Sequence, residues 1–98
     1  MKEIQKISTD IIKKIDEKMK GEHDVDTTMI HLIEELGEIA RPIFSEKIGR
    51  DSLKKEKLKE EIADVTILLS HLANHFDIDI EEAVKEKIQV LKERHNLK

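Results

Sequence analysis

The stretch KEEIADVTILLSHLANHF, residues 59–76, decides the fold. With Leu58 just before it, the apolar positions Ile62, Val65, Leu69, Leu72 and Phe76 recur at intervals of three and four, which is the period of an α-helix and not of a strand. The same stretch carries acids where a helical wheel has no room for them. At about 100° per residue, Glu61 falls between Leu68 and Leu72, and Asp64 falls between Ile67 and Leu68. A carboxylate on an apolar face is costly to desolvate unless a cation or a hydrogen-bond donor compensates it. Neighbouring positions on that face are read as offering no Lys or Arg, so a bound cation is the expected partner.

Working outward, three further helices are expected. Ile4, Ile7, Ile11, Ile15 and Met19 place one over about residues 2–19, ended by Gly21 and the polar run to Asp26. A second begins near Thr27, capped by Asp26 or Thr27, and reaches Ala40. Pro42 removes a donor and restricts Arg41, predicting a stop or kink and a short connector over residues 43–50. The helix of the opening stretch is expected to start near Asp51 or Ser52 and to run to His75. The fourth follows Asp79, which stands three residues before Glu82 as in a capping box, and ends near Arg94. These give an all-α, four-helix bundle-like domain over residues 1–98.

Composition narrows the function. Charged residues make up 41% of the 98 with a net charge of only −4, and there is no basic surplus of the kind nucleic-acid binders carry. No apolar run is long enough to span a bilayer, and MKEIQKISTD at the start has none of the features of a signal peptide. The absence of cysteine excludes thiolate metal sites and a Cys nucleophile. A cytoplasmic protein is expected. Aromatics are only 2%, so the core must be built from Ile, Leu, Val and Met, and completion by a homodimer or homotetramer is expected.

The second helix carries acids of its own, in EELGE at residues 34–38. In a chain with 22 acids such a string arises readily by chance. Glu35 and Glu38, like Glu61 and Asp64, are spaced i, i+3 and share a helix face. The acids of the second helix lie opposite its stripe of Met29, Ile33, Leu36 and Ala40, with Glu35 at the border, so a solvated acidic face explains them equally well. Together, Glu35, Glu38, Glu61 and Asp64 form a hard, oxygen-only donor set suited to Mg2+, with Mn2+ as the alternative, rather than zinc. Such a site suits metal-assisted attack of water on a phosphoanhydride.

These residues resemble a known family. The pair of motifs, within LIEELGEIA (32–40) and KEEIADVTILL (59–69), is similar to that of the all-α nucleoside triphosphate pyrophosphohydrolases of the MazG-like superfamily. The resemblance implies a helical bundle that dimerises or tetramerises and hydrolyses a nucleoside triphosphate between its α- and β-phosphates. It implies Glu35, Glu38, Glu61 and Asp64 as magnesium ligands, and Glu34 as an extra acid for a second ion or the attacking water. Glu34 and Glu38 are the candidates for general base. Lys87 and Arg94 match phosphate-contacting positions more loosely, because Val90 and Leu91 stand where many relatives carry an Asn before the Arg.

His31, on the polar face near the acids, is a candidate substrate contact. His71 lies about 15 Å along the helix axis from Glu61, too far to share one metal with it. His71 and His75 are read first as packed, hydrogen-bonded residues, with pocket-lining or intersubunit roles as the alternatives. The shortage of aromatics leaves few groups to stack on a base, mainly Phe44 and Phe76, and Phe76 is read more simply as a core residue. The main alternative activity is phosphoribosyl-ATP pyrophosphohydrolase, disfavoured because VTILLSH (65–71) lacks its Tyr-His pair. A non-catalytic helical interaction module is the alternative from another class.

Overall fold

The computed structural model describes residues 1–98 as four helices and no strands: α1 (Lys2–Met19), α2 (Val25–Lys47), α3 (Lys55–His75) and α4 (Ile80–Arg94). α3 is the central element, with α1 and α2 packed against it.

Caps and turns fix the boundaries. α1 ends at Lys20, whose own N–H still bonds the Asp16 carbonyl and whose left-handed conformation (φ 55°) brings the Gly21 N–H back to the same carbonyl at 2.9 Å. α2 starts two residues earlier than expected. Asp24 is its N-cap, accepting from the Thr27 N–H while the Thr27 hydroxyl accepts from the Asp24 N–H. It also runs straight through Pro42 to Lys47, absorbing most of the expected connector. Proline costs the helix one hydrogen bond there, the one that would have reached the Glu38 carbonyl. α3 starts later than expected, because the Glu46 carboxylate accepts the Leu53 N–H at 2.6 Å and holds the preceding residues in a loop. Asp79 caps α4 as expected, by accepting from the Glu82 N–H.

The internal faces differ from the apolar stripes of the sequence. On α1 the buried residues are Gln5, Ser8 and Ile12, whereas Ile4, Ile7, Ile11, Ile15 and Met19 are exposed. On α2 the inward line is Thr28, Leu32, Glu35 and Ile39, leaving Met29, Ile33 and Leu36 outside. On α3 the buried Glu61 and Leu68 each stand one residue, about 100° of turn, from the exposed Ile62 and Leu69. The core reduces to Ile12, Leu32 and Leu68, flanked by Val65, Ile67 and Leu72.

Polar ties complete this seam. The Gln5 amide donates to the Ile78 carbonyl and accepts the Ile80 N–H, both at 2.8 Å, fastening the start of α4 to α1. Asn74 donates to the Gln5 carbonyl. α4 itself has no buried residue.

The result is open. The radius of gyration is 16.4 Å, against about 13 Å for a compact domain of this length. The accessible surface is 7994 Å², about 2,200 Å² more than a compact monomer of this mass exposes.

Candidate metal centre

α2 and α3 face each other through Glu35 on one and Glu61 on the other. One oxygen each from Glu35, Glu61 and Asp64 lies within 4.8 Å of the others. Glu61 is buried, Glu35 is half-buried, and Asp64 is exposed at the mouth. Glu35 is thus drawn inward, off the solvated acidic face. The reason is its register with Thr28 and Leu32 on the inward line of α2.

Each carboxylate is differently supported. Glu61 Oε1 pairs with Lys57 Nζ at 3.2 Å, one turn earlier on the same helix. This corrects the expectation that the face offers no basic partner; the i, i+4 spacing of Lys57 and Glu61 was the available signal. The pairing in turn holds the Lys57 ammonium above its ordinary pKa, chiefly through the hydrogen bond to Glu61. Glu61 Oε2 is buried and has no hydrogen-bond partner. Glu35 Oε1 lies 3.3 Å from His31 Nε2. Burial, then the neighbouring carboxylates of Glu61 and Asp64, push the Glu35 carboxyl above its ordinary value, with His31 partly opposing them.

An orphaned, buried carboxylate oxygen beside two further carboxylates fits a hard divalent cation. Such an ion would satisfy Glu61 Oε2 and remove the repulsion that raises Glu35. Glu35, Glu61 and Asp64 are the residues that would hold it. Glu38, expected as the fourth ligand, is exposed and lies outside this cluster, although its charge reaches Lys57. Glu34 is exposed as well.

Beside the carboxylates opens a cavity of about 310 Å³. Its walls are largely isoleucine, from Ile11, Ile12, Ile15 and Ile67, and its polar groups are Asp16, His23, His31, Glu35 and Asp64. His31 therefore sits at the site, as its position near the acids suggested. Lys87 and Arg94 do not line this cavity and form no ion pair within the chain. Lys87 borders a separate groove between α3 and α4. Phe44 and Phe76 are exposed and also lie outside it.

His71 is packed and doubly hydrogen-bonded. Its Nε2–H donates to the His23 carbonyl at 2.9 Å, and the Thr9 hydroxyl bonds its Nδ1 at 2.9 Å. Burial pushes its pKa below the ordinary histidine value, consistent with a neutral ring. Asp16 and His23 were invisible in the sequence, because only the turn between α1 and α2 brings them to α3.

The MazG nucleotide pyrophosphohydrolase domain matches residues 23–97, and the chain belongs to that family. The chain is also 43% identical over 58 residues to the uncharacterized protein YpjD of Bacillus subtilis (strain 168). That stretch covers 56% of this chain and 52% of YpjD, so the match spans about half the length of the curated relative. No solved structure matches. No helix is long and apolar enough to cross a membrane.

Proposed function

We propose that the chain is a magnesium-dependent nucleoside triphosphate pyrophosphohydrolase, converting (d)NTP to (d)NMP and pyrophosphate in clearance of the cytoplasmic nucleotide pool. One observation carries the reading: within a MazG domain, Glu35, Glu61 and Asp64 bring carboxylate oxygens within 4.8 Å of one another, and Glu61 keeps a buried, unpartnered Oε2. When bound there, a divalent cation neutralises phosphate charge and activates water. Glu61, fixed by burial and by Lys57, keeps one oxygen, Oε2, without a partner in the chain. Asp64 at the mouth and Glu35 inside complete the donor set. Glu34 and Glu38 have solvent-facing carboxylates on the same helix, suited to accepting the proton of the attacking water. His31 lines the cavity wall with both ring nitrogens engaged, by His23 and by Glu35, so any contact it makes with substrate is through the face or edge of its ring.

We further propose that the chain works as a homodimer or homotetramer. The surplus surface of about 2,200 Å² and the exposed isoleucines of α1 support burial against a second copy. The phosphate contacts assigned to Lys87 and Arg94 belong to that assembled form, in which α4 packs on its neighbour.

One observation favours a second reading. The Lys57–Glu61 pair already neutralises one carboxylate, as a non-catalytic helical module would require. A pyrophosphate-release screen over canonical and modified triphosphates and phosphoribosyl-ATP, with and without Mg2+, separates the readings. Glu61→Gln should abolish release in a protein that still folds; full activity in that variant would sink the enzyme reading. Turnover of phosphoribosyl-ATP above every common nucleotide would move the assignment to histidine biosynthesis.

A further inference from the structure

A continuous line of polar contacts runs from α1 into the carboxylate cluster. Both Asp16 oxygens lie against His23 Nδ1, at 2.9 and 3.0 Å. His23 Nε2 lies 2.9 Å from His31 Nδ1, and His31 Nε2 meets Glu35 Oε1. The backbone of His23 is held too. Its carbonyl accepts from His71 Nε2 at 2.9 Å and from His75 Nε2 at 3.2 Å. One loop residue is therefore tied to all three packed helices.

The need for such a tie follows from the charges around Glu35. Its carboxylate neighbours, Glu61 and Asp64, repel it toward solvent when no cation is bound. His31 is the one basic group within contact distance of Glu35. His31 is itself a partly exposed helix residue, with 43% of its side-chain surface open, and nothing on α2 stops it turning away. The contact that does so comes from His23, across the helix boundary. His23 in turn cannot rotate without losing Asp16.

We infer that His23 is a positioning residue for the metal centre: through His31, and braced by Asp16, it holds the Glu35 carboxylate facing Glu61 and Asp64. Gly21 fits the same purpose. A Cβ there would stand 3.2 Å from Asp16 Oδ1, crowding the carboxylate that braces the His23 ring. Losing the hold on a metal ligand, which His31 exerts directly and His23 secures through His31, typically changes metal affinity about 10- to 100-fold.

The metal arm of this inference rests on the reading of the cluster as a metal centre, so its test has two readouts in the full-length chain. One is Mn2+ affinity by titration calorimetry. The other is the Glu35 side-chain rotamer in metal-free protein, from three-bond NMR couplings. In His23→Ala, Mn2+ should bind about 10-fold or more weakly, and the Glu35 couplings should average where the wild type shows one rotamer. Gly21→Ala, which leaves every side chain of the line in place, should shift both readouts in the same direction by less, and it serves as the second variant where His23→Ala does not fold. Ala73→Gly, a destabilising change at a buried α3 position outside the cavity, should leave Mn2+ affinity within about twofold.

Wild-type affinity in a folded His23→Ala protein, or an equal loss in Ala73→Gly, overturns the inference. So does a Glu35 side chain that keeps one rotamer in both His23→Ala and Gly21→Ala. Absence of Mn2+ binding by the wild type, with Glu35 loosened in His23→Ala, would overturn the metal reading while supporting the positioning contact.

Discussion

Replacing Glu35 by Gln should make the metal-free protein more stable while removing its response to magnesium. Two ionised oxygens 4.8 Å apart repel by about 3 kcal/mol at an effective dielectric near 20. Glu35 faces two such neighbours, although Asp64 is open to solvent and counts for less. Lys57, His31 and partial proton uptake by Glu35 offset much of this, leaving a net gain of about 1–2 kcal/mol for Glu35→Gln. In a domain of this size that is roughly 5–15 °C in melting temperature.

The pH dependence has a defined sign. The folded state raises the Glu35 carboxyl above its unfolded value of 4.5, so the native protein binds this proton more readily than the unfolded chain does. Its stabilising contribution is fully present below 4.5 and is lost as pH rises through the folded value. The gap between variant and wild type should therefore be small near pH 4.5 and widest at neutral pH. Calorimetry at one protein concentration, in chelator, across pH 4.5–7.5 measures it. Magnesium at 100 times its dissociation constant should then add about 2.7 kcal/mol to the wild type and little to the variant. If Glu35→Gln melts below the wild type in chelator at pH 7.5, the account of the cluster as mutually repelling carboxylates is wrong.

Two other outcomes are expected. His71 is kept neutral by burial, with His75, His23 and Asp16 the charged or titratable groups around it, and its unfolded value is 6.5. Its contribution should hold above pH 6.5 and fall below it, by up to about 1.4 kcal/mol per pH unit. Urea midpoints at pH 7.5 and 5.5 should show less acid loss in His71→Gln. Pro42→Ala restores a donor to the Glu38 carbonyl within a continuous helix and should stabilise the protein by about 1–3 kcal/mol. An unchanged melting temperature would mean that α2 relaxes around the proline at no cost.

The number and order of helices were legible in the sequence because period and punctuation are local signals. The extents of α1 and α4 follow from Met19 and Gly21 at one end of the chain and Asp79 at the other. α2 was harder, since Pro42 argues for a break and only the packing of the helix overrides it. The facing of each helix could not be read from its apolar stripe. Ile62 and Leu69 stand in the middle of the α3 stripe, yet the chain turns Glu61 and Leu68 inward and leaves Ile62, Leu69 and Phe76 exposed, with Val65 and Leu72 only flanking the core. A stripe marks the surface a helix must cover, without saying whether its own chain covers it. Glu61 was legible as misplaced for the same reason that makes it unusual here, a carboxylate among leucines. Lys57 stood in plain i, i+4 spacing. His23 and Asp16 carried no spacing signal, because their meeting depends on the turn at Lys20 and Gly21.

α4 gives the proposed assembly a dependence on dilution. A helix of fifteen residues is only marginally stable in water by itself, and this one buries none of its side chains against the rest of the chain. In a lone copy it is held by the Asp79 cap and by the tie from Gln5 to its first turn. Its far end, from Lys87 onward, is free to fray. Ellipticity at 222 nm should therefore decline on dilution before the core of Ile12, Leu32 and Leu68 gives way, and proteases should first cut between Lys87 and Arg94. If the chain associates through α4 as proposed, protein concentration as well as temperature sets how much of it is helical.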